Sequence, residues 1–151
     1  MTSSTTPKKP DPYDWTIIHN YGLWSLRVNT KQGNNIGRAI VWLHRSGNMR
    51  SITLLTKAER DELWDKIVPK YEAVMETLFH PDRFNYSWLG NLTDEHGGHG
   101  HLHCIPRYSA PIKFEGVEFI DPTYGKMYTS PNGGSELDLI IKIRDTIAVH
   151  L

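Results

Sequence analysis

The chain predicts an α+β domain: a mainly antiparallel sheet of about five strands, one long helix and a second helix near its end. Two observations carry this prediction. Short apolar or alternating stretches bounded by Gly, Asn and Pro read as strands, and a long run after Thr56 has helical spacing. Their order, β-β-α-β-β-(β)-α, lacks the regular strand–helix alternation of a parallel sheet.

Residues 1–14 are rich in Ser, Thr, Pro and Lys without apolar periodicity, and are expected to be a tail before one domain, 15–151. Leu23 to Asn29 has strand composition, and the polar stretch Thr30 to Asn35 turns the chain. Arg38-Ala39-Ile40-Val41-Trp42-Leu43-His44 follows as a strand whose apolar run predicts burial on both faces. Arg45 to Ser51 is loop. Thr56 with Glu59 forms a capping-box pattern. Leu63, Ile67, Tyr71, Val74, Met75 and Leu78 then recur at helical spacing to about Phe79. Pro69 lies inside that run and should kink or divide it. Phe84, Tyr86 and Trp88 alternate with Asn85, Ser87 and Leu89, a strand pattern. Gly98 to Tyr108 is the next strand, and Lys113 to Ile120 reads as a hairpin or ribbon around Gly116. The last helix begins near Ser135, with Leu137, Ile140, Ile141, Ile147 and Ala148 as its expected apolar face.

Composition excludes several function classes. Seventeen basic and seventeen acidic residues cancel, so no net field draws the chain to nucleic acid or anionic lipid. No apolar run reaches bilayer length, and the first fourteen residues lack the apolar core of a signal peptide. The one cysteine, Cys104, makes an internal disulfide impossible. A soluble cytoplasmic protein is therefore expected.

The chain has eight histidines, and four of them, His96, His99, His101 and His103, fall within eight consecutive positions. On a strand, His99, His101 and His103 share one face, while Gly100, Leu102 and Cys104 share the other. Three readings of this row compete: a solvated polar face, a metal site completed by His96, Asp94 or Glu95, and nucleophilic catalysis by an imidazole. Spacing alone does not separate metal from nucleophile.

The segment His99-Gly100-His101-Leu102-His103-Cys104-Ile105-Pro106-Arg107-Tyr108 resembles the signature of the histidine-triad (HIT) superfamily. Asn29 before its loop, Gly37-Arg38-Ala39-Ile40-Val41, the long helix and the strand from Phe84 to Asn91 follow in that superfamily's order. The resemblance spans roughly Leu23 to Tyr108 and is strongest to the diadenosine-polyphosphate hydrolase branch. It implies a HIT-like fold, usually as a homodimer, and cleavage of a nucleotide phosphoanhydride or phosphoramidate through a nucleotidyl-histidine. A nucleotidyltransferase, or a nucleotide-binding module with little turnover, is the alternative.

By resemblance His101 is the nucleophile, His103 contacts the α-phosphate and leaving group, and His99 supports the nucleophile. No cofactor or metal is implied. Asn29 matches a ribose-contacting position and Asn91 a residue near the phosphate; each reads equally as an ordinary turn or loop amide. Arg38 stands where many members have a fourth histidine, and is expected to contact the phosphate chain. The loop before the triad departs from the pattern, and His96 is the residue there that can supply a phosphate donor. Gly100 is smaller than usual, which predicts loose packing behind the site. Trp24 is the candidate for stacking on a base. The segment after Tyr108, with Phe114, Phe119 and Tyr124, is expected to cross to the partner's site.

Overall fold

The computed structural model describes residues 11–47, 49–93 and 97–151. Five strands form one antiparallel sheet: β1 (Ile17–Asn20), β2 (Trp24–Val28), β3 (Ala39–Ser46), β4 (Arg83–Trp88) and β5 (His99–Arg107), in the order β1-β2-β3-β5-β4. The strand β1 was not expected. It is four residues long and has no clear alternation, so its pairing to β2 rather than its own composition makes it a strand. The expected ribbon around Gly116 is a separate two-stranded unit, β6 (Ile112–Phe114) with β7 (Val117–Phe119).

Alternation gives the sheet two unlike faces. Trp24, Leu26 and Val28 of β2, Ala39, Val41 and Leu43 of β3, and Leu102 and Cys104 of β5 are all buried in the core. Over them lies the long helix, contributing Leu63, Ile67, Tyr71 and Met75. It starts as α1 (Lys57–Asp61), capped reciprocally. Thr56 Oγ1 accepts from Glu59 N at 3.2 Å, and Glu59 Oε1 accepts from Thr56 N at 2.8 Å. Glu59 is itself buried, paired to Arg45 at 2.8 Å.

The helical run is divided at Pro69, as expected, without being ended by it. A turn of π-helix, Glu62–Ile67, precedes it, and Pro69 then sits in the first turn of α2 (Val68–Phe79), where its missing N–H does least harm. The last helix, α3 (Leu137–Val149), packs against β1, β2 and α2. Its buried face is Ile140, Ile143 and Ile147, whereas Leu137 is 56% exposed and Ala148 is also exposed. The expected face began one turn early, because Leu137 opens the helix before it reaches the core.

Three further expectations change. A Cβ on Gly100 would lie 2.5 Å from Trp88 Cη2, so the space behind the triad is filled by indole and not loose. Trp24 is fully buried, its Nε1 donating to the Glu59 carbonyl at 3.0 Å, and no base can stack on it. Phe119 is buried in this chain's own core, which removes it from a partner's site, and the half-buried Phe114 packs edge-on to Phe79, with ring centroids 5.6 Å apart.

Candidate active site

The opposite face of the sheet is polar, and register brings its side chains together. Trp42 pairs with His101 and Ile40 with His103 across β3 and β5. Arg27 pairs with Ile40 across β2 and β3, and Ser87 pairs with His103 across β4 and β5. A cavity of about 430 Å³ opens over this face, bordered by His101, His103, Arg38, Trp42 and Tyr128.

Two hydrogen bonds fix the imidazoles. His101 Nδ1 lies 3.2 Å from the His99 carbonyl, and His99 Nδ1 lies 2.8 Å from the Leu43 carbonyl. A carbonyl oxygen only accepts, so in each neutral ring the proton sits on Nδ1 and the lone pair on Nε2. The indole of Trp42 stacks on both rings, with centroids 5.1 Å from His99 and 5.5 Å from His101. On the same indole sits the Arg27 guanidinium, 5.0 Å from the ring centroid.

The cavity is cationic. Arg27, Lys31 and Arg38 line it, and no carboxylate is among its described lining residues. Arg27 is neutralised nearby by Asp11 at 2.9 Å, so residues 11–14, read as the end of a tail, are tied to the rim. Arg38 has no such partner among the described residues. It is 4% exposed, burial pushes its pKa down, and its contacts are the Thr129 carbonyl at 3.2 Å from Nη1 and the Tyr128 ring at 5.4 Å. Its Nε has no hydrogen-bond partner among the described residues. A guanidinium keeps its proton even when buried, so Arg38 holds a positive charge with no carboxylate in hydrogen-bond contact among the described residues.

The loop that delivers Arg38 is stapled from inside. The buried Gln32 donates through Nε2 to the carbonyls of Asn29 (2.7 Å) and Arg38 (2.8 Å), and accepts from Gly37 N (2.8 Å). Gly37 has φ +92°, and a Cβ there would lie 2.5 Å from Met75 Sδ, so only glycine fits before Arg38.

Solved structures with similar folds are proteins of one kind. A hypothetical histidine triad nucleotide-binding protein from Sulfolobus tokodaii superposes at a TM-score of 0.65 with 12% identity, over 89% of this chain and 82% of that one. The NitFhit protein of C. elegans matches at 0.64 and 17%, over 91% of this chain and 27% of that one. A zinc-bound histidine triad family protein from Mycobacterium smegmatis matches at 0.56 and 12%, over 89% of this chain and 84% of that one. The fold is the histidine-triad fold. No family model and no curated protein sequence matches the chain.

Within this histidine-triad fold the site residues foreseen from sequence separate into groups. His101, His103, Arg38 and Asn29 all line the cavity. The Asn29 side chain is engaged in its own turn, Oδ1 accepting from Lys31 N at 2.9 Å. His99 does not line the cavity; its carbonyl, rather than its imidazole, supports His101. Asn91 is exposed on a 3-10 turn, Gly90–Leu92; it is not itself a lining residue, but Leu89 and Leu92 around it are. His96 lies outside the described residues, as do Asp94 and Glu95. Among the described residues no three His, Cys, Asp or Glu side chains are grouped to hold a metal ion.

Sequence reasoning missed Trp42, Arg27 and Tyr128. Trp42 and Arg27 were available from alternation, since Trp42 lies two residues beyond Ile40 and Arg27 two before Asn29. Tyr128 had no local signal, because its place depends on contacts with residues about ninety positions away in the chain.

Proposed function

We propose that this chain is a nucleotide hydrolase of the histidine-triad superfamily, cleaving a phosphoanhydride such as that of a dinucleoside polyphosphate through a nucleotidyl-His101 intermediate. The observation that carries the reading is His101 itself. Its Nδ1 faces the His99 carbonyl, which puts the ring's lone pair on Nε2 as the nucleophile, in a cavity that the buried Arg38 also lines. The name of the Sulfolobus tokodaii neighbour, a nucleotide-binding protein, agrees with a nucleotide ligand.

The chemistry follows from these positions. Nε2 of His101 attacks the α-phosphorus, an N–P bond forms, and the P–O bond to the leaving phosphate breaks. His103, on the next position of the same face, gives the departing oxygen a proton. The Arg38 fork meets charge on the phosphoryl oxygens as it grows, in a site where it is already oriented. Water then attacks phosphorus and gives a proton to His103, restoring the one lent to the leaving group; the N–P bond breaks, and the electron pair returns to the His101 imidazole. Asn29 at the cavity wall serves the ribose, and His96 and Asn91 serve the phosphates from the loop before β5. The protein works without a cofactor, as a cytoplasmic homodimer.

The test is turnover by the wild type and His101→Asn, in chelator, against diadenosine tri- and tetraphosphate and adenosine phosphoramidate. The wild type should release a mononucleotide, and His101→Asn should lose at least about a thousandfold in rate. The fastest substrate assigns the branch. Activity that chelator abolishes would replace this mechanism with a metal-dependent one. Folded protein that binds nucleotide without cleaving it would make the chain a binding module. Light scattering giving the mass of a single chain would remove the dimer.

A further inference from the structure

We infer that Tyr128 is a positioning residue for Arg38, delivered by a strap, Asp121 to Pro131, that this fold lays across the polar face of the sheet. The inference rests on the reading above that Arg38 meets a substrate phosphate. A guanidinium at the end of a flexible stem binds a phosphate bidentately only if its plane is fixed. The loop 29–38 fixes the Arg38 backbone, through Gln32 and Gly37, but supplies no side-chain partner to its guanidinium.

That partner comes from the strap. The Tyr128 ring faces the guanidinium, with Cζ 5.4 Å from the centroid, and the Thr129 carbonyl accepts from Nη1. Tyr128 is held in turn by a hydrogen bond between its hydroxyl and Ser87 Oγ, on the residue that pairs with His103. One side chain thus joins the arginine to the strand beside the triad.

The strap itself is pinned on both sides of Tyr128. Upstream, the buried Arg107 donates from Nε to Asp121 at 2.6 Å and from Nη1 and Nη2 to the carbonyls of Lys126 (2.8 Å) and Thr123 (2.5 Å). Asn35 adds a bond to Asp121 at 2.9 Å. Downstream, Pro131 packs so closely on Gly33 that a Cβ there would lie 2.6 Å from its Cγ. Ser135 accepts from Gln32 N at 3.0 Å and donates its own N–H to Thr30 at 2.8 Å. Both anchors end on the loop that carries Arg38, so strap and loop hold the guanidinium between them.

The experiment is calorimetric binding of inorganic tripolyphosphate, with fold checked by circular dichroism. Proteins compared are the wild type, Arg38→Gln, Tyr128→Leu, Tyr128→Phe and the double variant Arg38→Gln/Tyr128→Leu. Leucine fills the same space without an aromatic face, and should weaken binding about tenfold; phenylalanine keeps the face and should lose only about twofold. The double variant should bind no more weakly than Arg38→Gln alone, because a residue acting through Arg38 has nothing to position once it is gone. If Tyr128→Leu does not fold, Tyr128→Met makes the same comparison.

Additive losses in the double variant, or wild-type binding by folded Tyr128→Leu, would overturn the inference. Turnover is read separately. A wild type that cleaves no nucleotide, yet shows the non-additive binding pattern, keeps Tyr128 as positioning residue and removes the hydrolase. Cleavage with additive binding losses does the reverse.

Discussion

His101 is defined by which of its nitrogens bears the proton. Nδ1 faces the His99 carbonyl, a group that can only accept, so the neutral ring is an Nδ1–H tautomer with its lone pair on Nε2. Long-range nitrogen–proton NMR on labelled protein at pH 8 should therefore give His101 Nδ1 the shift of a protonated nitrogen and Nε2 that of a bare one. The opposite assignment would leave the ring without a nucleophilic lone pair facing the cavity. A second prediction belongs behind the triad. Gly100 is in ordinary strand backbone, so alanine is disfavoured there by space alone: its Cβ would meet Trp88 Cη2 at 2.5 Å and Cζ2 at 2.6 Å. Gly100→Ala should lose about 1–3 kcal/mol in urea unfolding with an unchanged m-value, the range for overpacking a filled core. Adding Trp88→Leu should recover part of that loss, since the clash is with the indole.

At the level of elements, the sequence was informative wherever one element specifies itself. The Thr56–Glu59 capping box, the helical recurrence from Leu63 to Leu78, and the alternation through His99, His101 and His103 each needed no distant residue, and each appears in the fold. The strap is the contrary case. Nothing periodic marks 121–131, and the residue that holds it, Arg107, reads from sequence as the tail of a strand. Its four partners, Asp121, Asn85, Thr123 and Lys126, come from two separate segments and can be seen only once the chain is folded. Asp121 and Arg107 are 2% and 3% exposed, a buried pair whose halves cannot be separated cheaply. Asp121→Ala strands the guanidinium and should destabilise the protein by about 3–5 kcal/mol. In native buffer the same variant should expose the strap, so trypsin should cut after Lys126 faster than in the wild type. Unchanged cleavage would mean that Pro131 and Ser135 hold the segment unaided.

For the whole molecule, buried ionisable groups set the pH range over which it stays folded. Burial raises the thiol of Cys104 and the hydroxyls of Tyr71, Tyr86 and Tyr108 well above their ordinary values, chiefly by desolvating the charged form. These groups stay neutral in the folded chain while the unfolded chain can release their protons. Stability is therefore complete below the ordinary values, 9.0 for the thiol and 10.0 for the phenols, and falls as pH rises past them. Each group contributes a slope of about −1.36 kcal/mol per pH unit once its unfolded form has ionised. The acid side has the opposite sign. Asp121 is raised by burial but lowered further by Arg107, Asn35 and Thr123, with a net shift downward; Glu59 is lowered first by Arg45. Their contribution is present above the ordinary carboxylate values and is lost as pH falls through the folded ones. Urea unfolding from pH 3 to pH 11 should thus show a plateau from about pH 5 to pH 8.5, with a steeper fall on the alkaline side. Cys104→Ala tests the assignment, because removing the group that titrates first should flatten the loss between pH 9 and pH 10 and leave the acid limb unchanged. An alkaline limb that keeps its onset in that variant would place the first titration on another group.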